Sequence, residues 1–157
     1  MPAPRVHLLH GLPASGKTTL AQSLAADGRA VRFTLDEWVL ALHELPFDHA
    51  DYPAKAARTK DAIFSVAGQV LAAGVDVVLD WNHWRRAERE RTVRWAAPHR
   101  VLLHVLDVPV DRAAEQAVRR ARANPAGRHV LTAADVEHMV GLMEPPAPEE
   151  DLVVVRH

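Results

Sequence analysis

The chain has 157 residues, 48% hydrophobic and 25% charged, which is the size and composition of one globular domain with enough apolar side chains to build a core. Its 19 basic and 20 acidic residues nearly cancel, to a formal net charge of -1, and so exclude a global field that would gather nucleic acid or an anionic membrane. Cysteine is absent, which excludes disulfides, thiolate metal sites and cysteine nucleophiles.

Met1-Pro2-Ala3-Pro4-Arg5 runs straight into an apolar stretch with no signal-peptide core, and no apolar run approaches a membrane span. The expectation is a soluble cytoplasmic protein, one domain over residues 1–157. Val6-His7-Leu8-Leu9-His10 reads as a first strand. Gly11-Leu12-Pro13-Ala14-Ser15-Gly16-Lys17-Thr18-Thr19 follows it and fits G-x-x-x-x-G-K-[ST], with helix-forming Leu20-Ala21-Gln22-Ser23-Leu24-Ala25 behind it. Strand, glycine-rich turn and helix in that order make a phosphate-binding loop. Gly11 and Gly16 permit a tight turn whose backbone N–H groups, with the positive helix N-terminus, cradle a triphosphate. Gly11, Pro13, Ala14, Ser15, Gly16, Lys17, Thr18 and Thr19 are therefore the nucleotide-binding candidates, with Lys17 on the β- and γ-phosphates and the Thr18 hydroxyl on Mg²⁺. The bland alternative, a Gly/Ser-rich turn with a solvated lysine, leaves the agreement of composition, position and context unexplained.

Ala30-Val31-Arg32-Phe33-Thr34 reads as a second strand, and Leu35-Asp36-Glu37-Trp38 opens a short helix up to about Glu44. Leu45 to Pro53, with two prolines and Tyr52, reads as a surface loop. Ile63, Val66, Ala67, Val70 and Leu71 predict a long helix from about Ala54 to Ala73, closed by Gly74. Val75-Asp76-Val77-Val78-Leu79-Asp80 is β-branched and apolar, the pattern of a buried parallel strand. Trp84 to Ala97 predicts a charged surface helix with Val93 and Ala96 on its inner side, stopped by Pro98. Arg100 to Asp107 is a fourth strand, Asp111 opens the next helix, Asn124-Pro125-Ala126-Gly127 breaks it, and Thr132-Ala133-Ala134-Asp135 resembles a capping box. Leu152-Val153-Val154-Val155 supplies a last strand.

Five strands alternating with helices predict a parallel sheet covered on both faces, whose ligands bind beyond the carboxyl ends of the strands. Asp36 and Asp80 lie at such ends. An aspartate closing an apolar strand beside the loop suits Mg²⁺, which assigns Asp80, and a carboxylate across the γ-phosphate can take a hydroxyl proton, which assigns Asp36. Asp36 could equally cap the helix starting at Glu37, and both roles are compatible. Arg119, Arg120 and Arg122, with Arg128 beyond the break, predict a lid around 119–130. Helical spacing puts Arg119 and Arg122 on the face of Arg112 and turns Arg120 elsewhere, although a plain basic helix explains the pattern as well. Asn82 and His83, just past Asp80, are candidates to face an acceptor, and the tryptophans on either side suit sheet packing or stacking on a substrate. The ten histidines show no metal-ligand spacing.

In this order the features resemble the small P-loop kinases that include polynucleotide 5′-hydroxyl kinases, chloramphenicol phosphotransferase, zeta-toxin kinases and many bacterial kinases. The resemblance rests on the Gly11 to Thr19 loop, Asp36, Val77-Val78-Leu79-Asp80, the Arg119 to Asn124 segment and Glu144-Pro145-Pro146. It implies a three-layer α/β P-loop NTPase fold with a five-stranded parallel sheet in the adenylate-kinase-like order 2-3-1-4-5. It also implies ATP as donor, Asp36 as general base and a lid arginine. Polynucleotide kinases usually carry arginine three residues past that aspartate, where this chain has Val39, and the signatures of gluconate and shikimate kinases are not evident.

The leading expectation is a kinase that moves the γ-phosphoryl group of ATP, with Mg²⁺, to a hydroxyl of a small molecule. Lys17, Asp36, Arg119 and Arg122 are its catalytic candidates, and Thr18 and Asp80 its metal candidates. A polynucleotide 5′-hydroxyl kinase is the second reading and a non-catalytic nucleotide switch the third, the latter without an N-K-x-D guanine-reading element.

Overall fold

The computed structural model describes residues 2–123 and 132–157. Five parallel strands, β1 (Arg5–His10), β2 (Ala30–Thr34), β3 (Asp76–Asn82), β4 (Arg100–Val105) and β5 (Val153–Arg156), form one sheet of order β2-β3-β1-β4-β5. The helices are α1 (Lys17–Ala25), α2 (Leu35–His43), α3 (Tyr52–Ala72), α4 (Arg86–Ala96), α5 (Val110–Ala123) and α6 (Ala133–Leu142), with a 3-10 turn at Ala26–Gly28 after α1.

Strand alternation divides the core into two layers. Val6, Leu8, Phe33, Val77, Leu79, Trp81, Val101 and Leu103 point to one face, where α2, α3 and α4 bury Val39, Ile63, Ala67 and Ala96 against them. Leu9, Ala30 and Val78 point to the other, under Ala21 of α1. Ala113, Ala114 and Ala117 of α5 close with Val136 of α6 around Leu12, which anchors the phosphate loop in a small apolar cluster of its own. The capping box forms as the sequence predicts: Asp135 N–H donates to the Thr132 hydroxyl and Thr132 N–H to the Asp135 carboxylate.

Two of the boundaries that differ from expectation have a clear physical reason. β3 continues through Trp81 and Asn82, because a register irregularity after Leu8 pairs Leu9 with Asn82 and carries the strand past Asp80. The long helix begins at Tyr52, with Pro53 in its first turn where the missing N–H costs nothing.

A row of imidazoles crosses the sheet. His7 Nε2 lies 3.3 Å from Asp76 Oδ2, His7 Nδ1 lies 2.9 Å from His104 Nε2, and His104 Nδ1 lies 2.9 Å from His157 Nε2. Asp76 is held below the usual carboxylate range: burial pushes it up, and the Arg5 N–H and His7 more than reverse that. Being ionised it can only accept, so His7 donates to it through Nε2–H, and the Nδ1 atoms of His7 and His104 accept from the Nε2–H groups of His104 and His157. Burial holds His7 below the ordinary histidine value and His104 down to about 4. Unfolded histidines take up protons from about pH 6.5 downward, while the folded ones do not until near pH 4 for His104. Across that window the unfolded chain binds more protons, so this contribution is complete above it and declines as pH falls through it. The unfolding midpoint in urea should therefore drop between about pH 7.5 and about pH 5; an unchanged midpoint would refute the buried, neutral His7 and His104.

Candidate functional site

The loop between β1 and α1 is bent by backbone that few residues adopt. Ala14 at φ 59° and Gly16 at φ 97° are both left-handed, and together they turn the loop N–H groups inward as a concave anion nest. Gly11 has no room for a side chain, since a Cβ there would meet Ser15 Oγ at 2.7 Å and Leu106 at 3.3 Å. Ser15 Oγ is buried and has no hydrogen-bond partner among the described residues. An unsatisfied hydroxyl inside such a nest fits a ligand that brings acceptor oxygens, as phosphate does.

Lys17 folds into this loop and donates to the carbonyls of Gly11 at 2.7 Å and Leu12 at 2.8 Å. Burial lowers its ammonium to about 8, opposed by Asp80 and Asp36 and assisted by Arg120. Those three side chains therefore lie within electrostatic reach of Lys17, and the two carboxylates singled out in the sequence are gathered at the loop. The Trp84 indole N–H also donates to the Gly11 carbonyl, at 2.9 Å, so the floor of the loop is held from the β3–α4 side as well.

Asp80 is nearly buried within β3. One of its oxygens, Oδ2, accepts from Arg32 Nε at 2.8 Å and lies 2.7 Å from Arg32 Nη2, while Glu37 stands 3.6 Å from that guanidinium. Burial raises the Asp80 carboxyl and Arg32 opposes the rise. Thr18 is exposed in the first turn of α1. No group of three or more His, Asp or Glu able to hold a metal occurs among the described residues. One threonine hydroxyl and one carboxylate match a magnesium ion that takes most of its oxygens from phosphates and water.

Asp36 sits in the first turn of α2, exposed, one residue inside a helix whose N-cap position is Thr34 and which begins at Leu35, not Glu37. It therefore does not cap, and its carboxylate is free for other chemistry except for a bond from the Tyr52 hydroxyl to Oδ1.

A cleft of about 500 Å³ beside the loop is lined by Ala14, Ser15 and Gly16, by Asp107 to Pro109, and by Arg112, Gln116, Arg119 and Arg120 of α5. Arg120 thus shares the cleft with Arg119 and Arg112, contrary to the helical-spacing expectation, and Arg122 is not among its lining residues. Residues 124–130 of the expected lid, Arg128 included, lie outside the described residues.

Other candidates turn inward. His83 is fully buried, accepts nothing at Nε2 among the described residues and is depressed to about 3, first by burial and then by Lys60. It faces no acceptor. Its ring stacks on Trp81, which packs edge-on against Phe64 as sheet-side tryptophans do. Arg89, on the helix that the sequence predicts to be a charged surface helix, has no exposed surface. It grips both oxygens of Glu150 at 2.7 and 2.9 Å and donates to the carbonyls of His83 at 3.1 Å, Trp84 at 3.0 Å, Glu144 at 3.0 Å and Pro145 at 3.4 Å. Glu144 N–H donates to the Trp84 carbonyl at 2.8 Å, so the Glu144-Pro145-Pro146 segment is a brace behind the loop.

A parallel sheet of order β2-β3-β1-β4-β5 whose central strand feeds G-x-x-x-x-G-K-T into a helix defines a P-loop NTPase, a fold that implies nucleotide binding. Within that class the chain belongs to the AAA domain family, whose model matches residues 6–146. No protein of curated function matches it in sequence. Among solved structures it is similar to a chain of the Pnkp1/Rnl/Hen1 RNA repair complex, with a TM-score of 0.74 and 19% identity over 90% of this chain, which spans 44% of that one. It is also similar to a gluconokinase from Sinorhizobium meliloti 1021, with a TM-score of 0.63 and 17% identity over 99% of this chain and 84% of that one. A sugar kinase from Janibacter sp. HTCC2649 gives 0.60 and 20% over 99% and 86%. At such identities the likeness is one of fold. No helix among the described residues is long and apolar enough to cross a membrane.

Proposed function

We propose that the chain acts as a single kinase domain that transfers the γ-phosphoryl group of ATP to a hydroxyl of a small molecule. The observation that carries this reading is the gathering of an exposed Asp36 and a partly buried Lys17 at one rim of the phosphate loop. A nucleotide-binding module needs the lysine but has no use for a second carboxylate facing outward beside it.

In this reading the loop N–H groups and Ser15 hold the phosphates, and Lys17 exchanges its bonds to the Gly11 and Leu12 carbonyls for phosphate oxygens. Thr18 and Asp80 would hold Mg²⁺, which when bound supplies positive charge to the phosphate oxygens. Arg32 keeps the Asp80 carboxylate ionised against its burial. Arg119 and Arg120 face the cleft from α5 and meet charge spreading over the transferred group. Asp36 takes the acceptor proton.

The polynucleotide alternative draws support from the RNA-repair neighbour's fold and is opposed by position 39. Val39 is fully buried in the sheet-side core, so the residue three beyond Asp36 points away from any bound strand. The test is ATP-dependent gain of phosphate across nucleosides, oligonucleotides, sugars and antibiotics. Phosphorylation of a small hydroxyl compound is expected. Labelling of a 5′-hydroxyl oligonucleotide, lost at high salt, would move the assignment to the nucleic-acid reading, and ATP hydrolysis indifferent to every acceptor would overturn transfer.

A further inference from the structure

The geometry points to Tyr52 as the positioning residue for Asp36: its hydroxyl fixes Oδ1 and leaves Oδ2 as the oxygen that takes the acceptor proton. This inference rests on the kinase reading above and names a residue that the phosphate-loop motif does not contain.

The two helices that carry the pair are clasped in register. Tyr52 of α3 donates to Asp36 of α2, and two turns further along both helices His43 Nε2 lies 3.4 Å from the Thr59 hydroxyl, each link spanning 16 residues of sequence. The Thr59 hydroxyl is itself spent on the Lys55 carbonyl, at 2.8 Å, so His43 donates to its oxygen. The helices therefore run parallel, and residues 44–51 carry the chain back along α2 so that α3 starts beside the start of α2. Tyr52 reaches Asp36 because the far end of the pair is fastened.

A half-buried phenol needs one partner for its hydroxyl, and the partner here is the exposed carboxylate nearest Lys17. Burial first, and Asp36 second, push the phenol well above its ordinary range, so Tyr52 remains a donor at every working pH. A permanent donor on Oδ1 stops rotation about the carboxylate's own bond. Tyr52 from α3 bonds to Asp36, and Lys17 from α1 lies within its electrostatic reach. Oδ2 accepts no bond from any described residue.

The step it serves is balanced without another reactant. The acceptor O–H proton goes to Asp36 Oδ2 while the acceptor oxygen bonds to the γ-phosphorus. The bond between that phosphorus and the β,γ-bridging oxygen breaks, and ADP leaves with its electron pair.

Tyr52→Phe keeps the ring and removes only the donor. In the folded variant the carboxyl-carbon NMR signal of Asp36, assigned by its loss in Asp36→Asn, should move from its wild-type position, since the donor on Oδ1 is gone. With an acceptor in hand, kcat should fall about tenfold while KM for ATP stays within about twofold. Tyr52 is the one tyrosine of the chain, so biosynthetic replacement with ring-fluorinated tyrosine alters this position alone. The more acidic phenol donates a stronger bond and should move the same signal the opposite way, and this second measurement stands even if Tyr52→Phe does not fold. An Asp36 signal indifferent to both changes overturns the inference. The NMR measurement needs no turnover, so a wild type that phosphorylates nothing removes the kinase reading and leaves the Tyr52–Asp36 coupling decided on its own.

Discussion

Arg89→Ala should cost the fold about 3–5 kcal/mol, the range for removing one partner of a buried ion pair. A domain of this kind is held by about 5–15 kcal/mol in all, so the loss is a large part of the total. The reason is what stays behind. Glu150 is 1% exposed at its side chain and Arg89 fully buried, so the variant leaves a carboxylate without its cation, with the Ala147 N–H at 2.7 Å as the remaining partner of its side chain among the described residues. Burial pushes Glu150 up, and Arg89 more than reverses this in the wild type; without the arginine the group must protonate or draw water into the core. Four carbonyls lose a donor at the same time, two of them at the end of β3 and two in the brace behind the phosphate loop. Urea unfolding should show a lower midpoint, and exchanging the pair for Met and Leu together should recover part of it. A single-variant midpoint equal to the wild type would mean that the pair carries nothing.

Asp36→Asn should lower phosphoryl transfer by about 10²–10⁴-fold, the usual worth of a positioned general base, while ATP binds nearly as before. Asparagine keeps an oxygen to accept from Tyr52 and so keeps the clasp, which separates chemistry from shape. Turnover against binding of a non-hydrolysable ATP analogue reads the two effects apart. Undiminished turnover would remove Asp36 as the base.

Much of this was legible because it is local. The glycine loop, the β-branched run before Asp80 and the Thr132 capping box each carry their physics within ten residues of sequence, and the alternation of strands and helices set the sheet. The polar links at the site are not local. Tyr52 reads as loop because its partner lies on another helix, and only the parallel packing of α2 and α3 brings the two together. Arg32 opposes Asp80 through strand pairing of β2 with β3, in which Thr34 stands beside Asp80, a register that composition does not specify. Arg89 did leave a signal. It sits four residues before Val93 and seven before Ala96, on the same inward stripe of α4, and an arginine on an apolar stripe demands a buried acid. Which acid, no spacing could say. Arg120 shows the converse: helical spacing ranks residues by face, but a cleft at a helix side admits neighbours from two faces.

The brace behind the loop also bears on how freely this chain can vary. Apart from Glu150, every bond that Arg89 makes is to a backbone carbonyl, at His83, Trp84, Glu144 and Pro145. Main chain is common to all residue types, so the joint makes few demands on the identity of its neighbours. Sequence between Pro145 and Glu149 can drift so long as its path is kept, whereas Arg89 and Glu150 can change only together. The support behind the nucleotide loop thus rests on two side chains far apart in the sequence, together with the Trp84 indole on the Gly11 carbonyl.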